Sequence, residues 1–123
     1  MQIPQIAYGT ADYSAILAKD SRYDAHAYDF ILAVLERASE EAKGESVPGS
    51  VLVDTFRDLA LDAFGPMAYA VMEDWGIKCC EDVGNIVYNL HDAGMVGKSE
   101  CDSRDDFIGG FDFAEEFLGP YAV

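Results

Sequence analysis

Apolar positions recur at helical spacing along most of the chain, and the places where each run starts and stops predict the elements. Between residues 24 and 43, Ala27, Ile31, Val34, Leu35, Ala38 and Ala42 share one stripe, with Asp29, Glu36 and Glu40 opposite. This is the pattern of an amphipathic helix with one buried side, and Lys43-Gly44 supplies its stop. Upstream, residues 1–22 carry only weak periodicity. A helical turn or two over 12–19 places Tyr13, Ile16 and Leu17 on one side, as expected of a packing arm. The cluster ESVPGS, residues 45–50, is the clearest linker, with Ser50 as the expected N-cap and Asp54 near the positive end of the next helix. That helix runs to Phe64 and puts Leu52, Thr55, Phe56, Leu59 and Ala63 on one face. Leu61 falls opposite, beside Arg57 and Asp58, which predicts a helix covered on two sides in preference to a Leu61 that touches a partner.

Gly65-Pro66 stops one helix and starts another, because proline suits a first helical position. Met67, Ala68, Ala70, Val71, Met72 and Trp75 cover most of the circumference of this second helix, which is therefore expected to be nearly buried, with Gly76 as its end and a turn over 77–80. From 81 to 93, Val83, Ile86, Val87 and Leu90 make a core stripe. Gly94 then sits where a left-handed stop belongs, and Met95 can reach Leu90. Gly84, inside this helix, predicts close approach by another backbone. After the stop, MVGKS reads as a short strand. Phe107, Gly109, Phe111 and Phe113 alternate with Ile108, Gly110 and Asp112 as in a second strand, with the acidic loop ECDSRDD between them, and residues 114–118 can turn helically. Helix, turn, helix and hairpin follow each other in the winged-helix order. The expectation is a mainly α chain with a small β-hairpin (α+β), winged-helix-like, with an N-terminal helical extension. It forms one domain over 1–123, divided into 1–44, 50–113 and a tail, 114–123.

Composition agrees with a packed domain. The 123 residues are half apolar and 12% aromatic, enough to bury about two thirds of the unfolded surface. Charge restricts function more sharply. With 23 acidic residues against 8 basic ones, the formal net charge is -15, which disfavours nucleic-acid backbones and anionic membranes and favours basic partners. Three cysteines, two of them adjacent (Cys79-Cys80), make a poor disulfide framework, and no stretch approaches ~18 uninterrupted apolar residues. A reducing cytoplasm is the expected location.

The run VLVDTFRDLALDAFGPMAYAVMEDWGI, followed by EDVGNIVYNLHDAGMVGKSECDSRDDFIGGFDFAEEF, resembles an uncharacterised family of small proteins largely restricted to Planctomycetes and Verrucomicrobia. The family's pattern is a helix ending in Phe-Gly, a Trp-Gly-Ile turn, an Asp-x-Gly-x-Ile-Val helix and an Asp-Phe…Tyr-Asp-Phe ending, and the resemblance covers about residues 23–117. The resemblance implies a bacterial origin and a compact domain, and it carries over no catalytic residue. Cys80 departs from the Thr or Ser usual in the family just before the 81–93 helix.

The chemistry of particular residues narrows the field further. The helix in the recognition position, 81–93, holds Glu81, Asp82 and Asp92 and neither Lys nor Arg, while residues 98–116 hold two basic residues against seven acidic. Base readout needs cations on phosphates first, so direct DNA or RNA binding is not expected. The same helix offers Asp82, Asn85, Asn89 and Asp92 as an outward polar stripe, with Tyr88 as a rigid anchor beside it. These five residues are the candidate partner-binding set, for an unidentified and basic protein. Cys79, Cys80, His91 and Cys101 make a weak metal set, since adjacent cysteines point apart and His91 lies ~16 Å along a helix from Cys80. The loop with Asp102, Asp105, Asp106 and Asp112 lacks the glycine and glutamate of a calcium loop, its sixth and twelfth positions being Phe107 and Phe113. Glu81 and Asp82 oppose activation of Cys79 or Cys80 as a nucleophile, and neither His26 nor His91 has a defined pocket. Arg57, between Val53, Ala60 and Leu61, needs an acidic partner and is expected in an ion pair. No cofactor is expected. The leading expectation is a non-enzymatic bacterial protein-protein interaction module. The alternative is a small enzyme or metal-dependent redox protein using Cys79, Cys80 or Cys101.

Overall fold

The structure, a computed structural model, describes residues 12–43, 49–95 and 112–119. Six helices follow one another there: α1 (Ser14–Lys19), α2 (Ala25–Glu41), α3 (Gly49–Phe64), α4 (Ala68–Asp74), α5 (Cys80–Asp92) and α6 (Phe113–Leu118), with a 3-10 turn, Gly65–Met67, leading into α4. The expected α+β winged helix is corrected by this order, because no strand is present among the described residues. Phe113, read from sequence as the end of a strand, instead opens α6. Asp112 caps that helix by accepting a hydrogen bond from the Glu115 amide at 3.0 Å. The rest of the expected hairpin, MVGKS and residues 100–111, lies outside the described residues save Met95.

Helix α2 is the centre. Asp24 caps it, accepting from the His26 amide at 2.8 Å, and five consecutive residues, Ala27, Tyr28, Asp29, Phe30 and Ile31, are all buried. At 3.6 residues per turn, five in a row encircle the helix, so its first turns are enclosed on every side. Asp29 was expected on a polar face; the arm of residues 12–20 covers that face and buries it.

On one flank of α2 the packing is aromatic hydrocarbon. Phe30 meets Phe56 edge-on with ring centroids 5.7 Å apart, Phe64 at 5.6 Å and Trp75 at 5.7 Å. Phe56 continues the cluster to Phe113 and Phe117 of α6, at 5.7 and 6.0 Å. Full burial of each such ring contributes about 1.5–3 kcal/mol. Phe113 and Phe117 of α6 are thereby part of the core.

Several local expectations hold and others shift. The Gly94 stop is a Schellman motif, with the Met95 amide donating to Leu90 at 3.0 Å and the Gly94 amide to His91 at 2.9 Å. Ser50 lies inside α3, which begins at Gly49, and is not its N-cap. Helix α4, expected to be nearly buried, buries only Ala68 and Met72. It lies at the edge of the fold against α3 and α6, so Ala70 faces solvent and the preceding Met67 is 60% exposed.

Gly76 joins the arm to the core. Its φ is +88°, and a Cβ at that position would lie 2.3 Å from the Arg22 carbonyl oxygen. The neighbouring Trp75 carbonyl accepts the Asp24 amide at 3.1 Å, which ties the end of α4 to the start of α2. Gly94 has φ +74° with no neighbour in reach of a Cβ. Gly76→Ala is therefore expected to cost at least about 1–3 kcal/mol from the backbone conformation alone and more from the clash, and Gly94→Ala distinctly less. Urea denaturation of the two variants checks the order; equal losses would remove the role given to Arg22.

Candidate functional site

The polar stripe of α5 is where sequence points for a site. It lies along one face of the helix at one-turn intervals because Val83, Ile86, Val87 and Leu90 take the opposite face into the core. The structure places Asp82, Asn85 and Asn89 against the chain's own N-terminal part and not outward. The phenol of Tyr23 donates to Asp82 Oδ1 at 2.6 Å and accepts from Asn85 Nδ2 at 3.1 Å. One turn along, Asn89 Nδ2 reaches the Tyr28 hydroxyl at 3.0 Å and Asp20 Oδ2 at 3.0 Å. Asp82 Oδ2 also accepts the Lys78 amide at 2.8 Å and so closes the turn before α5. The stripe is thus an internal clasp between α5 and the segment 20–28. Of the five candidate residues only Asp92 is far from this clasp in character, with most of its side chain in solvent, while Tyr88 is half-buried.

A third tyrosine extends the clasp behind it. Tyr13 donates to the buried Asp29 at 2.5 Å, and its ring lies 5.3 Å from that of Tyr28. Tyr23 meets Tyr28 edge-on at 6.4 Å. Sequence reading missed this set. The available signal was the trio Tyr13, Tyr23 and Tyr28, whose rings suit a core and whose hydroxyls need partners there.

Burial decides how these groups titrate. It pushes the Tyr13 and Tyr23 phenols far above the usual tyrosine range, with the Asp29 and Asp82 carboxylates acting in the same direction, and it raises Tyr28. The Arg22 guanidinium, bonded to Asp20 at 2.7 and 2.8 Å, holds the Asp20 carboxyl well below the usual carboxylate range, and Asn89 adds to the effect.

The candidates for chemistry are dispersed. Burial raises the Cys79 thiol, whose Sγ lies 3.5 Å from Asp82 Oδ2, and Cys80 is buried at the start of α5. Cys101 and the acidic loop 102–106 lie outside the described residues. His26 pairs with Asp24 at 2.6 Å and stacks on Trp75 with rings 12° from parallel, while His91 lies 3.8 Å from Asp92. Arg57 pairs with Asp58 at 3.2 Å and Asp54 at 3.7 Å. Among the described residues no three His, Cys, Asp or Glu side chains converge where they could hold a metal ion. No helix among them is long and apolar enough to cross a membrane. The surface clefts are open ones. One borders Arg22, Asp24, Glu73, Trp75 and Lys78, and another runs between α2 and α3 past Arg37, Glu41, Asp54, Asp58 and Asp62.

Compared with protein-family models, curated proteins and solved structures, the chain matches none.

Two outcomes test the clasp. In a spectrophotometric titration at alkaline pH, Tyr13, Tyr23 and Tyr28 are expected to ionise only as the protein unfolds. Their folded values lie above the unfolded one, so the stability they confer is complete below pH ~10 and is lost above it. Asp20 has the opposite sign. Its folded value is depressed, so its contribution is complete above pH ~4 and is lost as the pH falls below that. Asp20→Asn is accordingly expected to lower stability at pH 7 and to flatten the fall in stability below pH 4, as followed by circular dichroism. An unchanged acid limb would show that Asp20 does not hold the arm.

Proposed function

We propose that the chain is a non-enzymatic bacterial interaction module that presents an acidic surface to a basic protein partner. The observation that carries this reading is the uneven distribution of cations. Arg22 lies on Asp20, Arg37 reaches Asp62 at 3.5 Å and Glu41 at 3.9 Å, and Arg57 lies between Asp54 and Asp58. The arm and the α2–α3 pair are thus partly neutralised. Residues 65–74 and 112–119, by contrast, contain Glu73, Asp74, Asp112, Glu115 and Glu116 and no Lys, Arg or His. The 3-10 turn and α4 pack against α6, which brings the two cation-free segments together.

The surface that best fits the reading is therefore the α4–α6 side, and not the α5 stripe, whose Asp82, Asn85 and Asn89 already bond within the chain. The charge also bears on what the surface would refuse. Carboxylates without cations repel phosphate backbones and anionic lipid, and they attract lysine and arginine over about a Debye length, ~8–10 Å in ordinary salt. The resemblance to a bacterial small-protein family supports the setting and adds no activity. The thiols support the redox alternative poorly, since the Cys79 thiol is raised and Cys80 is buried.

Affinity capture from the source organism tests the reading. The wild-type chain is expected to retain a discrete basic protein at low ionic strength and to release it at about 0.5 M salt, where the Debye length falls to a few ångströms. Glu73→Lys with Glu115→Lys, both at exposed positions, is expected to abolish retention with little change in melting temperature. An identical set of captured proteins from wild type and variant would overturn it.

A further inference from the structure

Three large apolar side chains stand exposed among the described residues: Val51 at 45%, Met67 at 60% and Leu118 at 43%. Met67 ends the 3-10 turn before α4, and Leu118 is the last residue of α6, two elements that pack against each other. Each has small exposed company at helical spacing. Ala70 of α4 follows Met67 by three residues, and Ala114 precedes Leu118 by four on one face of α6. Phe113 and Phe117 occupy the inward face of α6 and leave Ala114 and Leu118 outward.

We propose that this seam between α4 and α6 docks an amphipathic helix whose apolar face is flanked by lysine or arginine. The proposal rests on the acidic-module reading and gives that module its site and the shape of its partner. Met67 and Leu118, with the small Ala70 and Ala114 near them in sequence, offer exposed apolar area, and methionine adapts its side chain to varied apolar surfaces. A helix entering such a seam is held by apolar residues at its i, i+3, i+4 and i+7 positions. The carboxylates decide which helix. Glu73 and Asp74 end α4, and Glu115 and Glu116 lie beside the outward face of α6, with no cation in either segment. A second copy of the chain seated face to face would bring these carboxylates against their own kind, and an anionic bilayer would be repelled in the same way. A cationic amphipathic helix alone meets both the apolar residues and the charge.

The test uses a synthetic Leu/Lys peptide of about 15 residues with leucine at helical spacing. Two controls accompany it: a scrambled peptide of equal composition and a Leu/Glu peptide of equal spacing. Fluorescence anisotropy is expected to show the Leu/Lys helix binding the full chain about tenfold or more tighter than the scrambled peptide, with no binding of the Leu/Glu peptide. Met67→Ser with Leu118→Ser is expected to remove about tenfold of that affinity, Ala114→Arg to do the same by obstruction and charge, and Val51→Ser to leave it unchanged. All four positions are exposed, and melting temperatures confirm that each variant folds. Equal binding of the scrambled peptide, or full binding by the double serine variant, overturns the seam. A concentration-dependent dimer in sedimentation that the double serine variant abolishes also overturns it, and assigns the face to a second copy. If the native basic protein is captured by the double serine variant but lost from Glu73→Lys with Glu115→Lys, the acidic module stands and the seam falls.

Discussion

Enclosing the first turns of α2 on every side obliges the rest of the chain to satisfy whatever polar atoms those turns carry. A buried carboxylate or phenol without a partner costs several kcal/mol, comparable to a large part of a small domain's stability. On the Phe30 side no such demand exists, and Phe56, Phe64 and Trp75 complete the enclosure with hydrocarbon. On the Tyr28 and Asp29 side it is unavoidable. Tyr13 answers Asp29, Asn89 answers Tyr28, and Asp82 with Asn85 answers Tyr23. The arm 12–20 and the polar stripe of α5 follow from that demand, and among the described residues no buried side-chain nitrogen or oxygen is left without a hydrogen bond.

This explains why one half of α5 was legible and the other was not. Its apolar stripe and its Schellman stop are local properties, set by spacing within a turn or two, and both stand as the residues suggest. The fate of the polar stripe is decided by residues some sixty positions away, at Tyr23 and Tyr28. Periodicity reports which side chains avoid water; it is silent on whether the remaining face meets water or another element. The residue types gave a partial signal. Amides and a short carboxylate suit fixed hydrogen bonds to buried hydroxyls, whereas a solvated face usually carries long Lys and Glu.

The C-terminal segment shows a different limit. Phe107, Gly109, Phe111 and Phe113 fit a strand's period of two, while Phe113 and Phe117 fit a helix's spacing of four, and the two patterns share a residue. Asp112 followed three positions later by Glu115 is a capping pair, and it assigns Phe113 to the helix. Helix α4 failed in the other direction. Apolar residues around its whole circumference predicted burial, but a seven-residue helix at the edge of a small fold has neighbours on only part of its surface. The excess apolar character of α4 is then left facing outward.

That excess and the distribution of charge are linked through the core. Two of the cations that pair within the chain do so where a turn must close or helices must pack closely, Arg22 at the arm and Arg37 across α2 and α3, and Arg57 pairs within its own helix α3. Nothing comparable is needed at the α4–α6 edge, because Phe113, Phe117, Ala68 and Met72 already secure it from within. Folding alone therefore gives no reason for Met67 and Leu118 to be apolar, since polar residues at exposed positions would leave the inner packing intact. Helix capping accounts for Asp112, Glu115 and Glu116 at the start of α6, but it gives no reason for Glu73 and Asp74 at the end of α4, where the helix dipole disfavours carboxylates. Exposed apolar side chains and an acidic α4 end that stability does not require, on elements that touch, are what a binding face demands: apolar area to lose water on contact, and charge of one sign to select what makes it.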